Sequence, residues 1–155
     1  MPTEIEHKFL VTGDPWRDYP GIRYLQGYLS VAKHAVVRAR VGGGKGFITI
    51  KGAASGPTRL EYEYEIPESE AREIIERLCG SQIVDKTRYR VPVGACTWEV
   101  DEFHGRNSGL VVAEIELQFA GQEFEKPDWI GDNVSEDPRY SNAMLAVSPF
   151  DTWLP

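Results

Sequence analysis

Glu4-Ile5-Glu6-His7-Lys8 opens the first strand-like run of the chain, and the way it alternates decides the fold. Side chains on a strand point to opposite faces in turn, so Glu4, Glu6 and Lys8 share one face while Ile5, His7 and Phe9 share the other. Alone, this pattern fits any solvated strand. It recurs, however, along the chain. Arg38 and Arg40 alternate with Val37, Ala39 and Val41, and Thr49 and Lys51 with Ile48 and Ile50. Glu61, Glu63 and Glu65 alternate with Leu60, Tyr62, Tyr64 and Ile66. Lys86, Arg88 and Arg90 oppose Thr87, Tyr89 and Val91, while Glu99 and Asp101 oppose Trp98 and Val100. Glu114, Glu116 and Gln118 oppose Ala113, Ile115, Leu117 and Phe119.

This periodicity predicts eight strands, at about 3–11, 22–31, 35–42, 46–52, 58–66, 83–92, 96–104 and 110–119. Charge is segregated by segment: some polar faces are nearly all cationic, others all anionic. An exposed sheet intersperses the signs, because like charges along one face repel. A closed barrel with a polar lumen explains the segregation, since it removes the edges and brings opposite signs together. The expected class is β-dominated α+β, an eight-stranded antiparallel closed barrel with a few peripheral helices. Ions gathered in such a lumen need counter-charges, at a cost of several kcal/mol each without them. Arginine forks suit phosphate oxygens, and hard carboxylate oxygens suit Mg²⁺ or Mn²⁺. A metal-bound polyphosphate is the ligand this lining predicts.

At 155 residues, with 41% hydrophobic and 26% charged, the chain reads as a single domain over 1–155. Residues 120–155 read as a C-terminal tail, with a short helix near Ser141–Val147, that covers one tunnel mouth and brings Arg139, Tyr140 or Asn142 toward the ligand. Trp129, Phe150 and Trp153 are expected to anchor it. Pro67–Cys79 reads as an amphipathic helix with Ala71, Ile74, Ile75 and Leu78 on one stripe and Gly80 as its stop. Asp14-Pro15-Trp16 predicts a short helical crossover, and Gly42-Gly43-Gly44-Lys45-Gly46 a hairpin turn in place of a phosphate loop.

Net charge −7 argues against a nucleic-acid surface. Cys79 and Cys96 form no disulfide framework, and His7, His34 and His104 show no zinc spacing. No leader and no apolar run long enough to span a bilayer is visible, so the expected location is the cytoplasm, away from membranes. The apolar outer strand faces would accept helices, the tail or a second subunit, so a homodimer is one expected arrangement.

These motifs together resemble the CYTH superfamily, the triphosphate tunnel metalloenzymes. The resemblance rests on Glu4-Ile5-Glu6-His7-Lys8, Arg38-Ala39-Arg40, Thr49-Ile50-Lys51, Glu61-Tyr62-Glu63, Lys86-Thr87-Arg88, Asp101 and Glu114-Ile115-Glu116. It implies a tunnel that binds triphosphate-containing small molecules with one or two Mg²⁺ or Mn²⁺ ions. By that resemblance Glu4, Glu6, Glu61, Glu63, Asp101, Glu114 and Glu116 are metal ligands, and Lys8, Arg38, Arg40, Lys51, Lys86 and Arg88 hold phosphates. Glu65, Arg90 and Glu99 share those faces but fall outside the signature.

Within the superfamily the chain resembles the short bacterial inorganic triphosphatases. The expected reaction is hydrolysis of tripolyphosphate to pyrophosphate and phosphate, with one metal bridging the phosphates and a second activating water. Lys8, Tyr28 and Lys51 are the candidate catalytic side chains: Tyr28 falls on the polar face, where a cation such as Lys51 would favour a phenolate base. Its alternative is a plain hydrogen-bonding role. The competing functions are a class IV-type adenylate cyclase, a thiamine or nucleoside triphosphatase, and a non-catalytic polyphosphate-binding module.

Overall fold

The predicted segments form strands in the computed structural model, which describes residues 1–153. The strands are β1 (Thr3–Val11), β2 (Gly21–Ala32), β3 (Ala35–Gly42), β4 (Lys45–Gly52), β5 (Thr58–Ile66), β6 (Ile83–Val93), β7 (Cys96–Phe103), β8 (Val111–Glu116) and β9 (Ile130–Asn133). They run β5-β4-β3-β2-β6-β7-β8-β1-β9, and β1 also pairs with β5. Every pairing is antiparallel, and the contact of Thr3, Glu4 and Ile5 with Leu60, Arg59 and Thr58 closes eight strands into a barrel. Between β3 and β4 the expected hairpin turn rests on Gly43 and Gly44, both at positive φ (60° and 79°), as a tight two-residue loop demands.

The ninth strand was not visible in the sequence. Ile130-Gly131-Asp132-Asn133 has no alternating hydrophobicity and pairs with β1 at Phe9 and Val11, beyond the stretch that β5 covers. The expected run 110–119 is shorter: β8 ends at Glu116, and the Gln118 N–H leaves the ladder to donate to Gln122 Oε1 at 2.7 Å.

Much of the core lies outside the barrel wall. Phe9, Val91, Trp98, Val100, Ala113 and Ile115 form one cluster, which Phe124 and Trp129 of the tail cover. Trp98 is fully buried and its indole N–H donates to Glu125 O at 3.1 Å, so the tail is held by burial and by hydrogen bonding. Helix α1 (Glu68–Leu78) packs Ala71 and Ile75 on Ala39 and Val41. It lies so close to β2 that a Cβ on Gly27 would sit 2.6 Å from Cys79 Sγ.

A third cluster modifies the expected all-polar lumen. Tyr28, Val84, Phe103, Leu110 and Val112 pack against Leu145 and Ala146 of helix α2 (Asn142–Val147). A register shift between Tyr28 and Ser30 also breaks the strict alternation of β2, and Val31 and the following turn residue Lys33 come to line the interior. The crossover is the predicted short one, a 3₁₀ turn at Pro15–Asp18 that buries Trp16. No helix of the described residues is long and apolar enough to cross a membrane.

Candidate active site

The inward faces enclose a cavity of about 440 Å³. Nine cationic side chains line it: Lys8, Lys33, Arg38, Arg40, Lys51, Arg59, Lys86, Arg88 and Arg90. Seven carboxylates face them: Glu4, Glu6, Glu61, Glu63, Glu99, Glu114 and Glu116. The cavity therefore leans positive although the chain as a whole is acidic.

The charges fall into linked groups set by strand register. Lys51 of β4 lies 2.7 Å from Glu4 Oε1 and 3.2 Å from Glu61 Oε2. Burial disfavours the Lys51 ammonium, yet Glu4 raises its pKa above the ordinary value. Lys8 sits 3.8 Å from both Glu6 Oε1 and Glu114 Oε1. Arg38 donates to Thr49 Oγ1 at 3.0 Å, Thr49 donates to Glu63 Oε2 at 2.9 Å, and Arg40 lies 3.7 Å from the same oxygen. The Nε–H groups of Arg38 and Arg40 are buried without a partner. Such orphaned donors cost about 1–3 kcal/mol each, a deficit that oxygen-rich anions would remove. Burial first, then Arg38 and Arg88, hold Arg40 down at about 10.

On the facing wall Arg88 reaches Glu99 at 3.3 Å and Glu114 at 3.4 Å, and Arg90 reaches Glu99 at 3.2 Å. Burial opposes ionisation of Glu114, but Lys8 and Arg88 hold it well below the carboxylate range. Glu6 is the reverse case. It stands opposite Glu116 across β1 and β8, and burial followed by the charge of Glu114 pushes it up to about 8. Burial also raises Glu4 and Glu116. Glu4, Glu6 and Glu116, all raised by burial, are hard oxygen donors whose mutual repulsion a divalent cation would relieve, so the donor set fits Mg²⁺ or Mn²⁺. Among the described residues no three acidic, histidine or cysteine side chains are already gathered into a metal nest, and Glu4 and Glu114 are engaged by lysines.

Asp101 departs from the expectation. It is fully buried, does not line the cavity, and both its oxygens are taken. Arg88 Nε and Nη2 donate to it at 2.7 and 2.9 Å, and Lys86 Nζ at 2.8 Å. Burial works against its charge, yet the two cations lower its pKa. It stands behind the phosphate-side cations, where no free oxygen remains for a metal. Lys86, itself 1% exposed, is brought down to about 7 by burial and by Arg88, and donates at 3.0 Å to Asn142 Oδ1 of α2.

Tyr28 lines the cavity, but its hydroxyl meets Gln26 Nε2 at 3.0 Å while Lys51 is bound to Glu4 and Glu61. The cation invoked to make it a phenolate is thus committed elsewhere. Of the tail residues, Asn142 reaches the cavity; Arg139 pairs with Asp137 at the surface and Tyr140 packs on Trp153. Glu65 does not line the cavity: it is exposed and lies 3.9 Å from Lys45. Two lining cations were missed. Arg59 begins the polar face of β5, hidden by the anionic run that follows, and Lys33 depends on the β2 register shift.

A CYTH domain model matches residues 2–144. The chain belongs to the CYTH family. This CYTH chain is 50% identical over 151 residues to the inorganic triphosphatase of Acetivibrio thermocellus, covering 97% of each. It is 37% identical over 151 residues to the inorganic triphosphatase of Nitrosomonas europaea, covering 94% of this chain and 98% of the relative. The crystal structure of the inorganic triphosphatase NE1496 superposes with a TM-score of 0.69 at 33% identity, over 96% of this chain and 97% of that one. The eight-stranded barrel of this chain therefore shares that fold, and in this chain β9 pairs on β1.

Proposed function

We infer that this CYTH chain is a divalent-metal-dependent triphosphatase that hydrolyses inorganic tripolyphosphate to pyrophosphate and phosphate. The observation that carries the reading is the coexistence, in one cavity, of nine cations and seven carboxylates. A binding module needs only the cations. The names of the two relatives support the same substrate.

Glu4, Glu6, Glu114 and Glu116, with Glu61 and Glu63 beside them, would hold Mg²⁺ or Mn²⁺, which when bound supplies neutralisation of phosphoryl charge and acidification of water. Arg38, Arg40 and Arg88 grip phosphoryl oxygens, and their unpaired Nε–H groups at Arg38 and Arg40 gain acceptors. Lys8 and Lys51 exchange carboxylate partners for substrate oxygens and stabilise charge on the departing pyrophosphate. Asp101 acts as a positioning residue that aims Lys86 and Arg88. Tyr28 accepts from Gln26 and turns its own hydroxyl proton to the substrate, as a donor in place of a base. The tail, through Ser141–Met144, covers one side of the cavity.

One observation favours a second reading, an organic triphosphate: Val31, Val36, Ala143 and Met144 give the cavity an apolar rim. Phosphate release from tripolyphosphate, pyrophosphate, ATP and thiamine triphosphate, with Mg²⁺, Mn²⁺ or EDTA, separates the two, with cyclic AMP assayed alongside. Metal-dependent preference for tripolyphosphate, lost about a hundredfold or more in Glu6→Ala, is the expected result. Preference for an organic triphosphate moves the assignment to the second reading, and turnover in EDTA overturns the metal.

A further inference from the structure

Within the cavity nearly every cation already has a carboxylate. Lys8, Arg38, Arg40, Lys51, Lys86, Arg88 and Arg90 each lie within 4.0 Å of at least one. Lys33 and Arg59 are the exceptions: among the described residues neither forms an ion pair, although both line the cavity. Arg59 is also held in place. Its Nε and Nη2 both donate to Gly52 O, at 3.0 and 2.7 Å, so the guanidinium is oriented by the backbone, and its strand neighbour Glu4 is turned to Lys51 at 2.7 Å, with no carboxylate within 4.0 Å of Arg59 among the described residues. Lys33 sits in the turn between β2 and β3, and the first residue of β3, Ala35, pairs with the same Gly52. The two cations therefore flank one point on the rim, beside the exposed β4–β5 connection at 53–57.

An arginine held on its Nε/Nη2 edge by a main-chain carbonyl, half-buried and with no carboxylate in reach, has its outer Nη1 edge pre-organised for an anion. Inside the lumen a phosphate must first displace a carboxylate from each cation. At Arg59 and Lys33 nothing needs displacing, so these are the positions where an entering polyanion gains contact before the inner pairs open. We propose that Arg59, assisted by Lys33, is an anion-capture site that holds the outermost phosphoryl group of a chain of three. This rests on the polyanion reading above, but its measurement requires no turnover.

The test is calorimetric titration of the full chain with sodium tripolyphosphate and with sodium pyrophosphate in EDTA, where no metal supports hydrolysis. Arg59→Gln is expected to weaken tripolyphosphate about tenfold and pyrophosphate less than about twofold, since the shorter chain does not reach the rim. Lys33→Ala, an exposed and unpaired position, should weaken tripolyphosphate about two- to threefold and flatten its dependence on salt. Arg59→Lys, which keeps the charge without the fork, should fall between and serves if the glutamine variant folds poorly. In steady state the same variants should raise KM and leave kcat nearly unchanged. Unchanged tripolyphosphate binding in Arg59→Gln, or an equal loss for both anions, overturns the capture site. Tight binding without turnover sinks hydrolysis alone, and no anion binding by the wild type sinks both.

Discussion

Asp101→Asn separates a metal ligand from a positioning residue. The substitution keeps the shape of the side chain but removes the charge that Arg88 and Lys86 share through three hydrogen bonds of 2.7–2.9 Å. Breaking one partner out of a buried ion pair costs about 3–5 kcal/mol, and the remaining amide oxygen can still accept from Arg88, so the lower end, about 3 kcal/mol, applies. For a chain of this size about 2–4 °C of Tm follows each kcal/mol, giving a fall of about 6–12 °C by thermal denaturation. Burial and Arg88 already hold Lys86 at about 7, so once Asp101 is neutral Lys86 sheds its proton more readily. The loss should therefore be larger at pH 6, where Lys86 must stay charged, than at pH 8.5, and Lys86→Met in the same background should restore about half of it. The Mg²⁺ concentration for half-maximal phosphate release should stay within about twofold. An unmoved Tm together with a tenfold higher Mg²⁺ requirement would refute the positioning role and return Asp101 to the metal.

Glu6 should make the metal-free protein lose stability as pH rises. Its folded pKa, about 8, lies above the ordinary 4.5, so the folded state binds the extra proton; this contribution is full below 4.5 and fades as pH climbs toward 8. Comparing Tm at pH 5 and 6 in EDTA, a window below the titration of Lys86 at about 7, should show a fall that Glu6→Gln reduces, Glu4 and Glu116 contributing the rest, and that Mg²⁺ reverses; a flat wild-type profile would contradict the repulsion at Glu6. Gly27→Ala should cost about 1–3 kcal/mol, because its Cβ would lie 2.6 Å from Cys79 Sγ and force α1 off the sheet. A wild-type Tm for that variant would mean that α1 sits more loosely than described.

The period-two pattern of charge was legible from residues alone because it is local. Every strand of the barrel was found from it, and the inward assignments of Glu4, Glu6, Lys8, Arg38, Arg40, Lys51, Glu61, Glu63, Arg88 and Glu114 hold in the cavity. Segregation of sign by strand even implied closure, since each face needed the others. What local pattern cannot carry is distance across the barrel. Asp101 and Glu99 alternate identically on β7, yet one is sealed behind Arg88 and Lys86 while the other faces the cavity. β9 has no pattern of its own and exists because β5 leaves part of β1 unpaired.

The sequence by itself determined the inward face of most strands and that cations and carboxylates must meet there, because alternation and sign are written residue by residue. Only the tertiary structure decided which cation takes which carboxylate and which are left without one. Those pairings depend on register, on the shift in β2 and on the β1–β5 closure, the last of which joins residues more than fifty positions apart. Arg59 stays open for the same reason: the closure of the barrel sets Glu4 opposite it, but the Glu4 carboxylate is taken by Lys51.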